Sequence, residues 1–138
     1  MDETTSRQKN TCPAGISFNC NRRHKKRCEA LSSSGKTTYN AIWSNECFEL
    51  WFLLHFQYMD SAINRNEYYS KLSRHMSNSG LGEYSKNRTD IFDCLRPRLN
   101  DAIHNAHRLE QKNIGLEPSA CNPGTMVHKI IDKLEKYI

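Results

Sequence analysis

The 138-residue sequence predicts an α/β chain that is mostly helical and contains one or two strands. Residues 38–43 are rich in β-forming side chains, and an apolar segment at about residues 46–58 follows them directly, which is the order of a βα unit. Two later segments carry apolar residues at helical spacing. The longest apolar run has about ten residues, well short of the roughly 18 that a membrane span needs, so no membrane span is predicted.

The apolar helix, predicted at about residues 46–58, carries a carboxylate near its start. With Asn45 as the N-cap, Glu46 lies at N1 and Glu49 at N4, close to the unpaired N–H groups and the positive end of the helix dipole. Apolar residues cover the other sides, as in a helix enclosed by other elements. The charge therefore indicates a site for a metal or a cation, whereas His55 is interpreted as a hydrogen-bonded core histidine.

Further helices are predicted along the rest of the chain. Amphipathic spacing predicts one at about residues 65–77, and residues 77–82 form a flexible loop. Asn87 or Thr89 then caps a helix that Pro97 interrupts, either as a kink or as the first turn of a second helix.

The C-terminal part is predicted to contain a turn and a last helix. Gly115 ends the preceding helix, and residues 122–125 form a turn and a cap. The terminal helix has one apolar face, made of Val127, Ile130, Ile131, Leu134 and Ile138.

The positive charge of the chain lies in its first quarter. Residues 1–36 hold eight Lys or Arg against three Asp or Glu, a net charge of +5, whereas residues 37–138 hold twelve of each. Because residues 1–36 have no hydrophobic periodicity, we expect a disordered or aberrant segment there, which a frameshift or a misassigned start would explain. The basic cluster at residues 22–27 is suited to phosphates, but a disordered tail is the favoured interpretation.

The six cysteines favour a reducing compartment. No Cys-x-x-Cys occurs, and the spacings fit no zinc signature. The N-terminus also lacks the basic and then apolar order of a secretory signal. We therefore predict a cytoplasmic protein with reduced cysteines.

Four ordered blocks resemble the RloB-like (AbiL-type) abortive-infection family. The family hallmark reads Ser-Asn-Pro-Cys-Phe-Glu-Leu-Trp, and only Glu46 differs from it here, in place of the proline. The resemblance extends from about residue 28 to residue 138. The four blocks are residues 44–51, 82–87, 102–110 and 122–131.

This resemblance implies a Toprim-like, Rossmann-like fold and a metal-dependent nuclease that acts in phage defence, often beside an AAA-type ATPase. In that fold a glutamate after the first strand and an Asp-x-Asp after a later strand hold the metal. The chain contains no Asp-x-Asp, and no N-terminal apolar strand ends in glutamate. The resemblance therefore predicts a truncated Toprim-like half, in which binding of the cofactor Mg²⁺ is weak or absent.

Four site residues follow from the resemblance. Glu49 is expected to be catalytic and to bind metal, and Ser44 either joins it at the metal or caps the helix. Lys86 either neutralises charge on a phosphoryl transition state or is a solvated loop lysine. His128 either orients an active-site group or holds the terminal helix in place.

Two further histidines are treated as surface residues. His104 and His107 have i, i+3 spacing and could chelate, but no third ligand is identifiable.

Three functions remain open at this stage. The leading one is the C-terminal part of a defence nuclease, inactive as this chain. The second is a non-catalytic subunit that docks on an AAA-type ATPase, and the third is a basic nucleic-acid-binding protein that uses residues 22–27. The sequence does not distinguish a DNA substrate from an RNA substrate, and it predicts no oligomeric state.

Overall fold

A computed structural model describes residues 16–17 and 40–137 of the chain. The strands are β1 (Ile16–Ser17), β2 (Asn40–Ala41), β3 (Ser44–Asn45) and β4 (Gly124–Thr125). The α-helices are α1 (Glu49–Leu53), α2 (Arg65–Asn78), α3 (Ile91–Leu95), α4 (Leu99–Lys112) and α5 (His128–Leu134). Short 3₁₀ turns occupy Arg96–Arg98, Pro118–Ala120 and Glu135–Tyr137. A mostly helical α/β chain with few strands is thereby confirmed. Residues 1–36 were predicted to be disordered or aberrant. Except for β1, they lie outside the described residues.

The four strands form two small sheets. β1 pairs with β2 in parallel, and β3 pairs with β4 in an antiparallel arrangement that places Ser44 opposite Thr125. The prediction of a turn and a cap at residues 122–125 was right only for residues 122 and 123, where the chain bends, because Gly124 and Thr125 form a strand. The partner of this strand lies about 80 residues earlier in the chain, so local turn signals alone could not reveal it.

Gly124 permits a close approach inside the second sheet. A Cβ atom at this position would lie 2.8 Å from Cys121 Cβ and 2.9 Å from Trp43 Cζ3, both too short for carbon atoms that are not bonded. Only glycine therefore allows β4 to pack against Trp43 in the observed position.

Helix α1 is shorter than predicted, and its predicted cap was wrong. The helix begins at Glu49, and Leu54 already lies in the turn that follows it. Asn45 belongs to β3 instead, where its Nδ2 donates to the carbonyl of Cys121 at 2.9 Å. The pairing of β3 with β4 and the contact with Cys121, which lies in the loop before β4, explain the difference, because they hold Asn45 away from the helix start. Glu46 consequently lies ahead of the helix.

The later helices agree well with the sequence. Helix α2 is confirmed, and Asn64 Oδ1 accepts from the backbone N–H of Glu67 at 3.0 Å, which caps its start. Helix α3 begins after Asp90, so neither Asn87 nor Thr89 is its N-cap. Pro97 lies in the 3₁₀ turn that leads into α4. Of the two alternatives, the structure therefore has Pro97 in the first turn before a second helix and not at a kink within one helix.

The core forms around α1, and every residue of that helix is buried. It packs against α2 and α4, which contribute the buried side chains Tyr68, Leu72, Met76, Ala102, Ala106 and Leu109. Among the described residues, no helix combines the length and the apolar character required to cross a bilayer.

Tyr68 presents a buried hydroxyl that destabilises the fold. The side chain is fully buried, and its hydroxyl has no hydrogen-bond partner in the described part of the chain. Leaving a buried polar group unpaired costs about 1–3 kcal/mol. Tyr68→Phe is therefore expected to raise the free energy of unfolding by about that amount, measured by denaturant titration. Tyr137→Phe is the control, since Tyr137 is exposed, and it should change nothing. A loss of stability in Tyr68→Phe would show that the hydroxyl is satisfied.

His55 makes stability depend on pH. It is confirmed as a core histidine, because it is buried and its Nδ1 lies 2.9 Å from the carbonyl oxygen of Trp51. Burial lowers its pKa from the ordinary 6.5. Below pH 6.5 His55 binds a proton more readily in the unfolded chain than in the folded chain. The free energy of unfolding therefore falls as the pH drops. The steepest fall is about 1.4 kcal/mol per pH unit.

Denaturant titrations at several pH values check this expectation. His55→Gln should show a shallower fall below pH 6.5, because its side chain does not titrate. The exposed His104 supplies the control, and His104→Gln should follow the unaltered chain. Identical slopes for His55→Gln and the unaltered chain would exclude His55 as the source.

Candidate functional site

Glu49 is a buried carboxylate at the first residue of α1. Only 6% of the residue is exposed. The Tyr84 hydroxyl donates to Glu49 Oε1 at 2.9 Å, and Lys86 Nζ lies 4.0 Å from the same oxygen. The carboxylate therefore has one neutral hydrogen bond and one nearby cation. The structure brings two predicted site residues, Glu49 and Lys86, into the same place.

The loop between α2 and α3 positions both partners of Glu49. It turns at Gly82, which has a φ of +77° that favours glycine. The backbone N–H of Tyr84 then donates to Ser73 Oγ on α2 at 3.2 Å, which fixes the loop. Lys86 Nζ lies 5.4 Å from the ring centroid of Tyr69, also on α2. The fixed loop therefore presents Tyr84 and Lys86 to the start of α1.

Burial and the neighbouring side chains shift the pKa values of the groups around Glu49. Burial, reinforced by Glu49, raises the pKa of the Cys47 thiol to about 11. Burial and the hydrogen bond to Glu49 also raise the pKa of Tyr84. Both groups consequently stay protonated at neutral pH, so Cys47 is not a thiolate nucleophile. A hydrogen bond with Tyr69, and after it Glu49, raises the pKa of Lys86, which stays an ammonium.

Glu49 and Ser44 do not by themselves fit a site for paired Mg²⁺ ions. Ser44 Oγ donates to the carbonyl of Cys47 at 2.9 Å, so the hydroxyl is used in a local contact, and it does not cap α1, whose N-cap is Phe48. Within residues 40–137, no group of three or more metal-binding side chains includes Glu49. Hard cations need several oxygen ligands, usually more than one of them a carboxylate. One carboxylate beside an ammonium does not meet that requirement.

His128 lies in a different cluster. It is fully buried at the start of α5, and its Nε2 lies 2.8 Å from Glu110 Oε2 on α4. Lys129 Nζ holds the other oxygen of Glu110 at 2.9 Å. These contacts attach α5 to α4. They favour the second of the two roles expected for His128, in which it holds the terminal helix in place.

His107 belongs to the same cluster, which the sequence reasoning missed. Its ring centroid lies 4.6 Å from that of His128, and its Nδ1 lies 3.5 Å from Glu110 Oε2. Treating His107 as a simple surface residue was wrong, because the i, i+3 pair that matters is His107 with Glu110. His104 is exposed, as expected. The i, i+3 spacing of His107 and Glu110 was visible in the sequence, but the contribution of His128 depends on how α5 packs.

A third feature is an apolar cavity of about 300 Å³ at the junction of α1, α3 and α4. Phe92 lies in its lining and is 71% exposed. The other lining residues are Trp51, Phe52, His55, Asp93, Leu95, Arg96, Leu99 and Ile131.

Comparisons with known proteins bear on the blocks that form these sites. A search of curated proteins finds no significant match, and a search of solved structures finds none either. The family model described as RloB-like protein matches residues 17–134, most of the chain. The matched region contains Glu49 and Lys86. It also contains His107 and Glu110 on α4 and His128 on α5. By this match, the chain belongs to the RloB-like protein family.

Proposed function

We propose that this chain is the C-terminal part of a Toprim-like, metal-dependent nuclease that acts in the cytoplasm in abortive infection, and that it is inactive as given. The observation that carries the proposal is the buried Glu49 carboxylate at the start of α1, held by Tyr84 and faced by Lys86. An acidic side chain is kept inside an otherwise apolar helix, in the block that resembles the family hallmark. Three free cysteines among the described residues agree with a reducing compartment.

The described residues supply part of the chemistry of phosphodiester hydrolysis. In a complete domain, Mg²⁺ would activate water and stabilise charge on the phosphoryl group. Within this chain, Tyr84 orients the Glu49 carboxylate, and the Lys86 side chain, 61% exposed, is available to a phosphate oxygen. Among the described residues, Glu49 belongs to no group of three metal-binding side chains, so in a complete Toprim-like site further carboxylates would join it.

A direct test compares the chain with a completed version of it. The chain alone, supplied with Mg²⁺ or Mn²⁺, is expected to hydrolyse neither DNA nor RNA. Fusion to the two acidic strands of a Toprim-like domain should restore hydrolysis of one of these substrates. Failure of every such fusion, each shown to be folded, would count against the nuclease assignment.

Metal titration gives a separate prediction. Isothermal titration of the chain with Mg²⁺ is expected to show only weak binding, because a single carboxylate cannot replace the water around a hard cation. Tight Mg²⁺ binding would show that other ligands had been overlooked.

The second candidate function is a non-catalytic subunit that docks on an AAA-type ATPase. The exposed Phe92 beside an apolar cavity favours it, because large exposed aromatic side chains mark interaction surfaces. Phe92→Ala should then abolish co-purification with the ATPase, while Tyr137→Ala, a change at another exposed aromatic residue, should not. Retained docking in Phe92→Ala would remove the support for this candidate.

A further inference from the structure

A second group of side chains, distinct from Glu49 and Lys86, lies between α4 and α5. We call His107, Glu110 and His128 the histidine cluster. Each offers one ligand atom, and these atoms all lie within 4.8 Å of one another. In the described part of the chain, no other set of three His, Cys, Asp or Glu side chains is grouped in this way.

The contacts of His107 indicate which of its nitrogen atoms faces the cluster. Nε2 lies 3.5 Å from Asp132 Oδ2 and points to that carboxylate. Nδ1 faces the cluster and lies 3.5 Å from Glu110 Oε2. In the tautomer that donates its Nε2–H to Asp132, the Nδ1 lone pair is directed at a cation shared with Glu110. A metal-binding histidine also usually has a hydrogen-bond acceptor, often a carboxylate, next to the ring nitrogen that does not bind the metal.

The two oxygen atoms of Glu110 are assigned to different partners. Oε1 accepts from Lys129, which leaves Oε2 facing both histidines. Although burial acts in the opposite direction, hydrogen bonds from His128 and Lys129 lower the pKa of Glu110, which stays ionised. His128 Nε2–H donates to the same Oε2 at 2.8 Å, so a metal ion at this nitrogen takes the place of that proton. The formal charges of Glu110, Asp132 and Lys129 sum to −1, which favours a cation.

The chemistry of the donors selects the type of cation. Two imidazole nitrogens and one carboxylate oxygen form a donor set of zinc sites with three protein ligands, whereas Mg²⁺ prefers oxygen alone. Bonds of about 2.0–2.1 Å in a tetrahedral site place neighbouring ligand atoms about 3.3–3.4 Å apart. The distance of 3.5 Å between His107 and Glu110 is close to this value. The pair of Glu110 and His128, at 2.8 Å, would need to open by about half an ångström.

We propose that His107, Glu110 and His128 bind one Zn²⁺ ion, with water as the fourth ligand, and that the ion joins α5 to α4. The His107 side chain is 44% exposed, so the site has a route to solvent and room for the water. Two ligands lie on α4 and the third on α5, so binding crosslinks the terminal helix to the core. The proposal does not depend on nuclease activity.

The test uses the whole chain, freed of metal with a chelator and then titrated with ZnCl₂ alone. We expect one tightly bound Zn²⁺ ion and a melting temperature that rises with its concentration. MgCl₂ should give no comparable rise. Co²⁺ in place of Zn²⁺ should give the visible absorption of tetrahedral coordination. Failure of the unaltered chain to bind Zn²⁺ would overturn the proposal.

Matched variants separate this site from the six cysteines of the chain. His107→Gln should weaken Zn²⁺ binding at least about tenfold, and it should leave the melting temperature without metal unchanged because the side chain is partly exposed. Asp132→Asn should weaken binding about tenfold through the orientation of His107. His104→Gln, on the same helix, should bind as the unaltered chain does. Equal Zn²⁺ affinity in His107→Gln would place the ion elsewhere and overturn the proposal.

Discussion

Glu49→Gln is expected to lower nuclease activity by roughly 100-fold or more in a version of the chain joined to the acidic strands, the loss typical of removing one preorganised electrostatic group. The amide has the shape of the carboxylate but carries no charge. Its oxygen can still accept from Tyr84, whose hydroxyl donates to Glu49 in the structure, so folding should change little. Phage protection and hydrolysis should therefore fall together while the melting temperature is kept.

The matched control is Glu83→Gln. Glu83 is an exposed carboxylate in the same loop as Tyr84, so its loss removes a charge near the site without altering the contacts of Glu49. Activity should be unchanged in this control. Full activity in Glu49→Gln would instead mean that Glu49 is only a carboxylate at a helix start, and the site assignment would fail.

The parts of the fold that were predictable are those determined by neighbouring residues. Helix α2 has both an amphipathic pattern and a cap at Asn64, so its bounds could be inferred within about one residue. The start of α1 could not, because Asn45 belongs to β3 and donates to Cys121 in the loop before β4 instead of capping the helix. For the same reason β4 was missed, since Gly124 and Thr125 become a strand only through their pairing with β3.

The sites divide in a similar way. The sequence identified Glu49 and Lys86 through the family blocks, and the structure places them 4.0 Å apart. The histidine cluster joins residues of two helices, and the packing of α5 against α4 decides which histidine contributes. Spacing alone favoured His104 with His107, because i, i+3 spacing identifies a shared face but not what covers it.

Leu53→Ala should have the opposite effect to Glu49→Gln. Leu53 is fully buried in α1, and truncating a buried leucine costs about 2–5 kcal/mol, through lost apolar contacts and the cavity that remains. That is a large part of the roughly 5–15 kcal/mol that stabilises a typical domain. The melting temperature of the chain should therefore fall by about 8 °C or more, measured by thermal unfolding.

Leu134→Ala supplies the comparison, because Leu134 is a leucine near the end of α5 whose side chain is largely exposed. It should change the melting temperature little. In the completed nuclease at a temperature where Leu53→Ala is still folded, activity should stay close to normal, since the carboxylate of Glu49 and its partners are intact. If Leu53→Ala lost activity while folded, the packing of α1 would itself set the geometry of Glu49, and the charge and the helix could not be treated as separable contributions.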